Sequence, residues 1–431
     1  MSAPKLKAPR GTHDVLPEQA AARARVESAA RAILEGAGYA RIETPCFEAT
    51  ELFARGVGSS TDIVQKEMYT FEDGGGRSLT LRPEGTAPVC RAYVEHGMHK
   101  LRQPVKLWYL SSFFRYERAQ AGRQRQFWQV GAEALGSHEP AVDAESVLLL
   151  VELLNELGVA DLRLRLSSLG GHEARTEYRE RLQEHLRANE ASLAEEVRER
   201  IDLNPLRAFD SEHEGTRAVM ASAPRLLDHL STEDAEHFAE VRSLLDTAGI
   251  AYEVDATLVR GLDYYTRTVF ELTSEALGAQ SGVGGGGRYD GLVQQLGGPA
   301  TPGMGWAAGI ERILLAGAAA PAGMPAVDLF VAFDGGGDEA PSGGGDGAAP
   351  PSSRVAFGML REARSAGLHA QMELAGRSLK NQLGHAGRLG ARYVAIVDGG
   401  EAVLRDMQAG SEERLSTTTV VHTVLRGLHD L

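Results

Sequence analysis

Residues 113–136 read FFRYERAQAGRQRQFWQVGAEALG. Apolar runs flank a polar Arg/Gln/Gly middle, which predicts a strand, a loop and a second strand. Arg115, Arg118, Arg123 and Arg125 fall within this one hairpin, together with Glu117 and Glu133. A planar guanidinium matches two phosphate oxygens at once, so the cluster points to an anion clamp. Charged side chains are also what an ordinary solvated hairpin carries. The choice between the two rests on the remainder of the chain.

Totals set the bounds. With 431 residues the chain exceeds one compact core, and its length predicts roughly two to four domains. A hydrophobic share of 43% and a charged share of 24% leave ample material for globular cores. The net charge of −14 argues against nucleic-acid binding by bulk electrostatics, but not against a local basic groove. Cys46 and Cys90 have no metal-ligand spacing and make no disulfide framework, which fits a reducing compartment. The opening MSAPKLKAPRGTHD lacks the apolar core of a signal peptide. The densest apolar run, 147–151, is far too short to span a bilayer. A soluble, cytoplasmic protein with no membrane partner is expected.

Along the chain, Ala22, Val26, Ala29, Ala30, Ile33 and Leu34 recur at helical spacing through 18–36, closed by Gly36 and Gly38. Residues 39–45 read as a strand stopped by Pro45. Strands are also expected at 71–77 and 79–86, the first running into a glycine turn and the second ending in a polar one. In that second turn Glu84 and Thr86 suit either a ligand ammonium or a helix cap. Residues 105–110 form another β-prone run leading into the hairpin. Residues 140–158 predict a helix with Asp143, Glu145 and Glu152 on its wet face. Leu162, Leu164 and Leu166 alternate with Arg163 and Arg165 as in a half-buried strand. Charged, mostly helical sequence from 173 to 243 reads as an insertion, because β-prone sequence resumes after it.

Residues 257–271, TLVRGLDYYTRTVFE, read as two β-like runs joined by a turn that bears Arg260, Asp263, Tyr264 and Tyr265. Phenol tips on aromatic bodies suit a snug pocket for a small polar ligand. Gly282, Gly284 and Gly287 formally satisfy a dinucleotide fingerprint. No apolar strand precedes them and no βαβ unit surrounds them, so these glycines are read as sites of close backbone approach. Small residues alternate with larger ones through 303–309, leaving room for a flat ligand, and an apolar helix follows with Arg312 at its start. An Ala/Gly/Pro linker at 319–326 marks a boundary. Beyond it, alternating β and α stretches predict a small mixed α/β domain, 327–431, with a low-complexity disordered loop at 334–353.

Taken together, these segments resemble the class II aminoacyl-tRNA synthetases. Residues 38–45 are similar to their first motif, FRYE at 114–117 with its loop and Phe127 to their second, and GWAAGIER at 305–312 to their third. LVRGLDYYTRTVFE at 258–271 and SGVGGGGRYDGL at 281–292 resemble the two segments peculiar to the histidyl-tRNA synthetase family. PRGTHDVLP at 9–17 and GRSLKNQLGHAGRLGARYV at 376–394 match it as well. The likeness runs from Pro9 nearly to the end, excluding 334–353.

That resemblance implies an antiparallel-sheet catalytic core of mixed α/β (α+β) class, formed by 1–171 and 251–318. A helical insertion at 172–250 interrupts it, and an anticodon-binding domain follows at 327–431. It implies ligation of histidine to tRNA(His) through a histidyl-adenylate, with ATP and Mg²⁺, by a homodimer. By the same likeness Arg115 and the catalytic Arg260 meet the α-phosphate and rank among the histidine-binding residues. Arg312 takes the γ-phosphate end, Phe127 stacks on adenine, Glu117 meets the adenine amino group, and Arg123 contacts ATP or tRNA. Glu84, Thr86 and Gln129 take the α-amino group of histidine, while Glu133 and Tyr264, with Tyr265 nearby, take its imidazole. Arg118 and Gln120 face the tRNA acceptor end; the Mg²⁺ ligands are not legible. Ala119 and Ala121 stand where the family usually has proline and lysine, and Trp128 where histidine is common. The alternative reading is a non-catalytic paralogue that regulates ATP phosphoribosyltransferase. Such proteins generally lack the anticodon-binding domain and lose motif residues, whereas Arg115, Arg260, Arg312 and a full C-terminal domain are all present here.

Overall fold

A computed structural model describes residues 5–58, 61–120, 122–203, 205–258, 262–278, 281–317, 326–333 and 351–429. The chain divides into two compact units, Met1–Ala322 and Gly323–Leu431. In chain order the first contains β1 (Ala40–Arg41), β2 (Phe47–Ala49), β3 (Tyr69–Glu72), β4 (Ser78–Leu81), β5 (Val105–Phe114), β6 (Gln126–Leu135), β7 (Leu162–Ser168), β8 (Glu253–Val254), β9 (Thr266–Ser274), β10 (Gly282–Arg288) and β11 (Gly303–Gly309). Eight of these form one sheet in the order β1-β5-β6-β11-β10-β9-β7-β8, and β2-β4-β3 form a small second sheet. The large sheet is antiparallel from β5 to β7, with a parallel strand at each edge.

Side-chain alternation on β5 assigns the two faces of that sheet. Trp108 packs with Val26, Ala30 and Leu34 of helix Pro17–Gly36 and with Leu150, Leu153 and Leu154 of helix Pro140–Glu156. Leu107, Tyr109 and Phe113 belong to a second cluster, with Val89 and Tyr93 of helix Thr86–Glu95 and Tyr178, Leu182 and Leu186 of helix His172–Ala188. One face of the sheet is thus shielded by long helices, and the other is left to a shorter helix and the 172–250 segment.

Four expectations change. The strand read at 39–45 is only two residues long, Ala40–Arg41; farther on, the carbonyls of Thr44 (2.6 Å) and Pro45 (3.3 Å) accept from the Arg82 guanidinium and not from a neighbouring strand. Asp143 is not on a wet face: it is fully buried, paired through both oxygens with Arg288 and approached by His237 Nε2 at 2.9 Å. The first β-like run of 257–271 forms a turn at 256–257, and its residues 259–261 lie outside the described residues. Conversely, the glycine-rich 282–288 is a strand inside the sheet.

The second unit holds β12 (Leu329–Phe333), β13 (Ala370–Met372), β14 (Tyr393–Asp398), β15 (Glu401–Asp406) and β16 (Glu412–Ser416). Their order is β13-β12-β14-β15-β16, parallel around β12 and antiparallel beyond β14, a mixed sheet. Helices Pro351–Ser365 and Val420–His429 cover one face and helix Leu379–Arg388 the other. The low-complexity loop expected at 334–353 is shorter at its C-terminal end. Residues 351–353 start helix Pro351–Ser365, where a first-turn proline loses no hydrogen bond; residues 334–350 lie outside the described residues.

Candidate active site

β5 and β6 pair without a break from Val105↔Leu135 to Phe114↔Gln126. Past the strands, Arg115 N donates to Arg125 O (2.9 Å), and Gln120 and Arg123 exchange N–H···O bonds of 2.9 Å each near the tip. Arg125 N donates to Gly11 O (2.7 Å), tying the N-terminal segment to the hairpin. Between this hairpin, β10, β11 and the loop before β9 opens a cavity of about 360 Å³. Ten of the residues singled out in the sequence line it: Glu84, Thr86, Arg115, Glu117, Arg123, Phe127, Gln129, Tyr264, Tyr265 and Arg312. Glu133 lies directly behind its wall. Arg118 and Gln120 are exposed near the hairpin tip, off the cavity. Arg260 lies outside the described residues.

One end of the cavity is cationic. Arg115 Nε donates to Pro83 O (2.8 Å), and the guanidinium sits 5.5 Å from the centroid of the Phe127 ring. Glu117 stands 3.4 Å from Arg123 and 3.9 Å from Arg115. Arg312 reaches across to the carbonyls of Gly122 and Gly282. Burial first, and then the charge of Arg123, holds the Arg312 pKa below its ordinary value. Guanidinium groups that repel one another in this way are relieved by an incoming anion. Next to Arg312, Glu311 accepts from Arg23 Nη2 (2.7 Å) and from Trp128 N (3.1 and 3.2 Å). The helix that carries Arg312 is thereby locked to β6 and to the N-terminal helix.

The other end is lined by carboxylates and hydroxyls. Glu84 accepts from the N–H groups of Thr86 (2.7 Å) and Ala87 (3.0 Å), capping helix Thr86–Glu95, and Tyr264 OH stands 3.5 Å from it. Glu84 is therefore a helix cap that also lines the cavity. Burial raises the pKa of Glu84, against the pull of those two N–H groups. Glu133 is fully buried. Its Oε1 accepts from Thr86 Oγ1 (2.8 Å) and Tyr109 OH (3.4 Å), and its Oε2 from Tyr289 OH (2.6 Å). Burial outweighs these bonds and pushes its pKa up to about 8. The carboxyl rests on Gly305, where any Cβ would overlap it. A small ligand entering this end meets oxygen acceptors beside phenols, a set suited to nitrogen donors such as an ammonium or an imidazole.

Tyr109, Tyr289, Glu271 and Glu311 were not legible as site residues. Tyr109 and Tyr289 are fixed by register: Tyr109 alternates inward on β5, and Tyr289 follows β10, whose glycines gave no strand pattern. Glu311 owes its place to a partner 288 positions earlier in the chain.

The profile of the histidyl-tRNA synthetase family matches residues 11–313. A histidine–tRNA ligase of Desulforamulus reducens is 46% identical over 421 residues, 96% of this chain and 97% of that protein. One of Desulforudis audaxviator is 47% identical over 428 residues, 97% of this chain and 98% of that protein. The solved structure of apo histidyl-tRNA synthetase from S. aureus superposes with a TM-score of 0.79 at 33% identity, covering 97% of this chain and 100% of that one. A class II sheet with a two-ended cavity, joined to likeness along almost the whole chain, leads to one assignment: this chain belongs to the histidyl-tRNA synthetase family.

Proposed function

We propose that this chain joins L-histidine to its cognate tRNA in two steps. A carboxylate oxygen of histidine attacks the α-phosphorus of ATP and pyrophosphate leaves. A terminal ribose hydroxyl of tRNA then attacks the acyl carbon and AMP leaves. The observation that carries this reading is the single cavity with arginines at one end and carboxylates and phenols at the other. Negative charge grows on the α-phosphate during attack, and fixed cations beside it stabilise the transition state.

Arg115 and Arg260 meet the α-phosphate and the histidine carboxylate, a role supported for Arg115 by its seat over Phe127 at the cationic end. Arg312 and Arg123 take the outer phosphates, Phe127 stacks on adenine, and Glu117 accepts from the adenine amino group. Glu84, Thr86 and Gln129 bind the α-amino group; Glu133 and Tyr264 read the imidazole, with Tyr265 at their side. A site built to pair both imidazole nitrogens rejects amino acids that leave its buried groups unpaired. Arg118 and Gln120, exposed near the hairpin tip, meet the acceptor end of tRNA. Glu271, in the cavity with Gly282 and Arg312, offers the hard oxygen donors that magnesium takes. It would hold the Mg²⁺ that accompanies ATP, which supplies charge neutralisation at the phosphates.

The 327–431 domain reads the anticodon, a role supported by its own mixed sheet and the likeness of 376–394. The chain works in the cytoplasm as a homodimer. In support, no helix among the described residues is long and apolar enough to cross a membrane. Phe47, two residues past the first motif, and Phe71 are both exposed and lie edge to face with ring centroids 6.2 Å apart, which offers an apolar patch beside that motif. The test is exchange of labelled pyrophosphate into ATP: exchange is expected when histidine is added, and none without it. Equal exchange with other amino acids, or no exchange at all, overturns the reading.

A further inference from the structure

The loop that carries Tyr264 and Tyr265 is gripped from outside the catalytic sheet. Arg175, on helix His172–Ala188, donates from one nitrogen, Nη1, to the carbonyls of Asp263 (2.6 Å) and Tyr265 (2.8 Å). These carbonyls flank Tyr264, so a single guanidinium fixes the backbone on both sides of it. Farther along, Arg267 N donates to Gly170 O (2.8 Å), Leu169 N donates to Arg267 O (2.7 Å), and Arg267 Nε lies 2.9 Å from Asp234 Oδ1. Arg267 is held at a φ of 46°, a left-handed conformation that a non-glycine residue keeps only under such restraint. Both ends of the tyrosine loop thus answer to the 172–250 segment or its threshold.

Behind Tyr264 lies a second cavity of about 480 Å³, whose lining includes Arg175, Arg179, Pro205 and Asp263. Tyr264 lines this cavity and the catalytic one alike. Its ring is buried in edge contact with Tyr265 (4.8 Å between centroids) and Tyr289 (5.8 Å), both on the catalytic side. Those contacts orient the ring, and the backbone clamp sets where along the loop it stands against Glu84.

We propose that Arg175 is a positioning residue for histidine recognition: through the two carbonyls it sets Tyr264, so that the insertion tunes histidine affinity without touching the amino acid. The proposal rests on Tyr264 reading histidine, as above. It goes beyond that reading by giving the insertion a part in the first half-reaction, before any tRNA is bound.

The test is steady-state pyrophosphate exchange with the full-length protein, titrating histidine and ATP separately. Two lost hydrogen bonds predict that Arg175→Ala raises KM for histidine about tenfold while KM for ATP stays within about twofold. Arg175→Lys, whose ammonium can still donate to both carbonyls, is expected to recover most of the histidine affinity, leaving a rise of about two- to threefold. A histidine KM unchanged in Arg175→Ala overturns the proposal, and so does an equal rise in both KM values, which marks general damage. Should the alanine variant fail to fold, the lysine variant decides: a histidine-specific rise supports the proposal, and an unchanged or unspecific one overturns it. Wild-type protein without histidine-dependent exchange overturns the functional reading and this inference together. Active wild type with an insensitive Arg175→Ala overturns the inference alone.

Discussion

Glu133 accepts from three hydroxyls, and its carboxyl still holds its proton up to about pH 8, against an ordinary 4.5. Desolvation of the anion is the leading cause. The folded protein therefore keeps a proton that the unfolded chain gives up near 4.5. Stability owed to this group is full below that pH, falls as pH rises through the window, and is lost above about 8. Thermal melts of Glu133→Gln, which cannot titrate, are expected to decline less over that window than those of wild type. An identical decline would show that the group titrates normally. The same substitution keeps the shape but removes an acceptor, so KM for histidine is expected to rise about ten- to a hundredfold in exchange assays. Loss of Tyr289 OH, in Tyr289→Phe, leaves Oε2 of Glu133 without that donor and is expected to raise KM for histidine by a smaller factor, about threefold to tenfold.

At the scale of elements, the site depends on how closely β10 and β11 approach their neighbours. Gly305 on β11 pairs with Glu133 on β6, and the Glu133 side chain occupies the space a Cβ would need. Gly305→Ala is expected to lose about 1–3 kcal/mol of stability by overpacking and most of its affinity for histidine. Denaturant melts with histidine titration would check both; an alanine variant of normal stability and affinity would mean that the carboxyl can move aside. This closeness explains what the sequence made readable. The β5–β6 hairpin and the step from β11 to helix Ile310–Ala316 are written in alternation and in a change of period at Gly309. β10 is not, because glycine carries no hydrophobic pattern and ranks low for strands; only its neighbours Trp306, Val269 and Tyr265 explain why a larger residue would clash there. Asp143 was misread for a related reason: its spacing on the helix is that of a surface residue, and its partners Arg288 and His237 come from distant parts of the chain. Of the site, the arginines and acids with motif context were legible. The phenols that hold Glu133 and the Arg23–Glu311 tie were not, since each arises from tertiary register alone.

For the whole molecule, the two compact units have separate hydrophobic clusters. Every described residue of the candidate site belongs to the first unit. A protein ending at Ala322 is accordingly expected to keep histidine-dependent pyrophosphate exchange within about tenfold of wild type while charging tRNA far more weakly, by a hundredfold or so, as loss of the proposed anticodon contact predicts. Equal loss of both activities would place the second unit in the catalytic step itself. Ligation as a whole is decided by attachment of labelled histidine to tRNA in the presence of ATP. Acid-precipitable label is expected only when protein, ATP, histidine and tRNA(His) are all present, and no label when histidine is replaced by another amino acid. Protein that forms no histidyl-tRNA under these conditions, or that charges tRNA with a different amino acid equally well, would contradict the assignment.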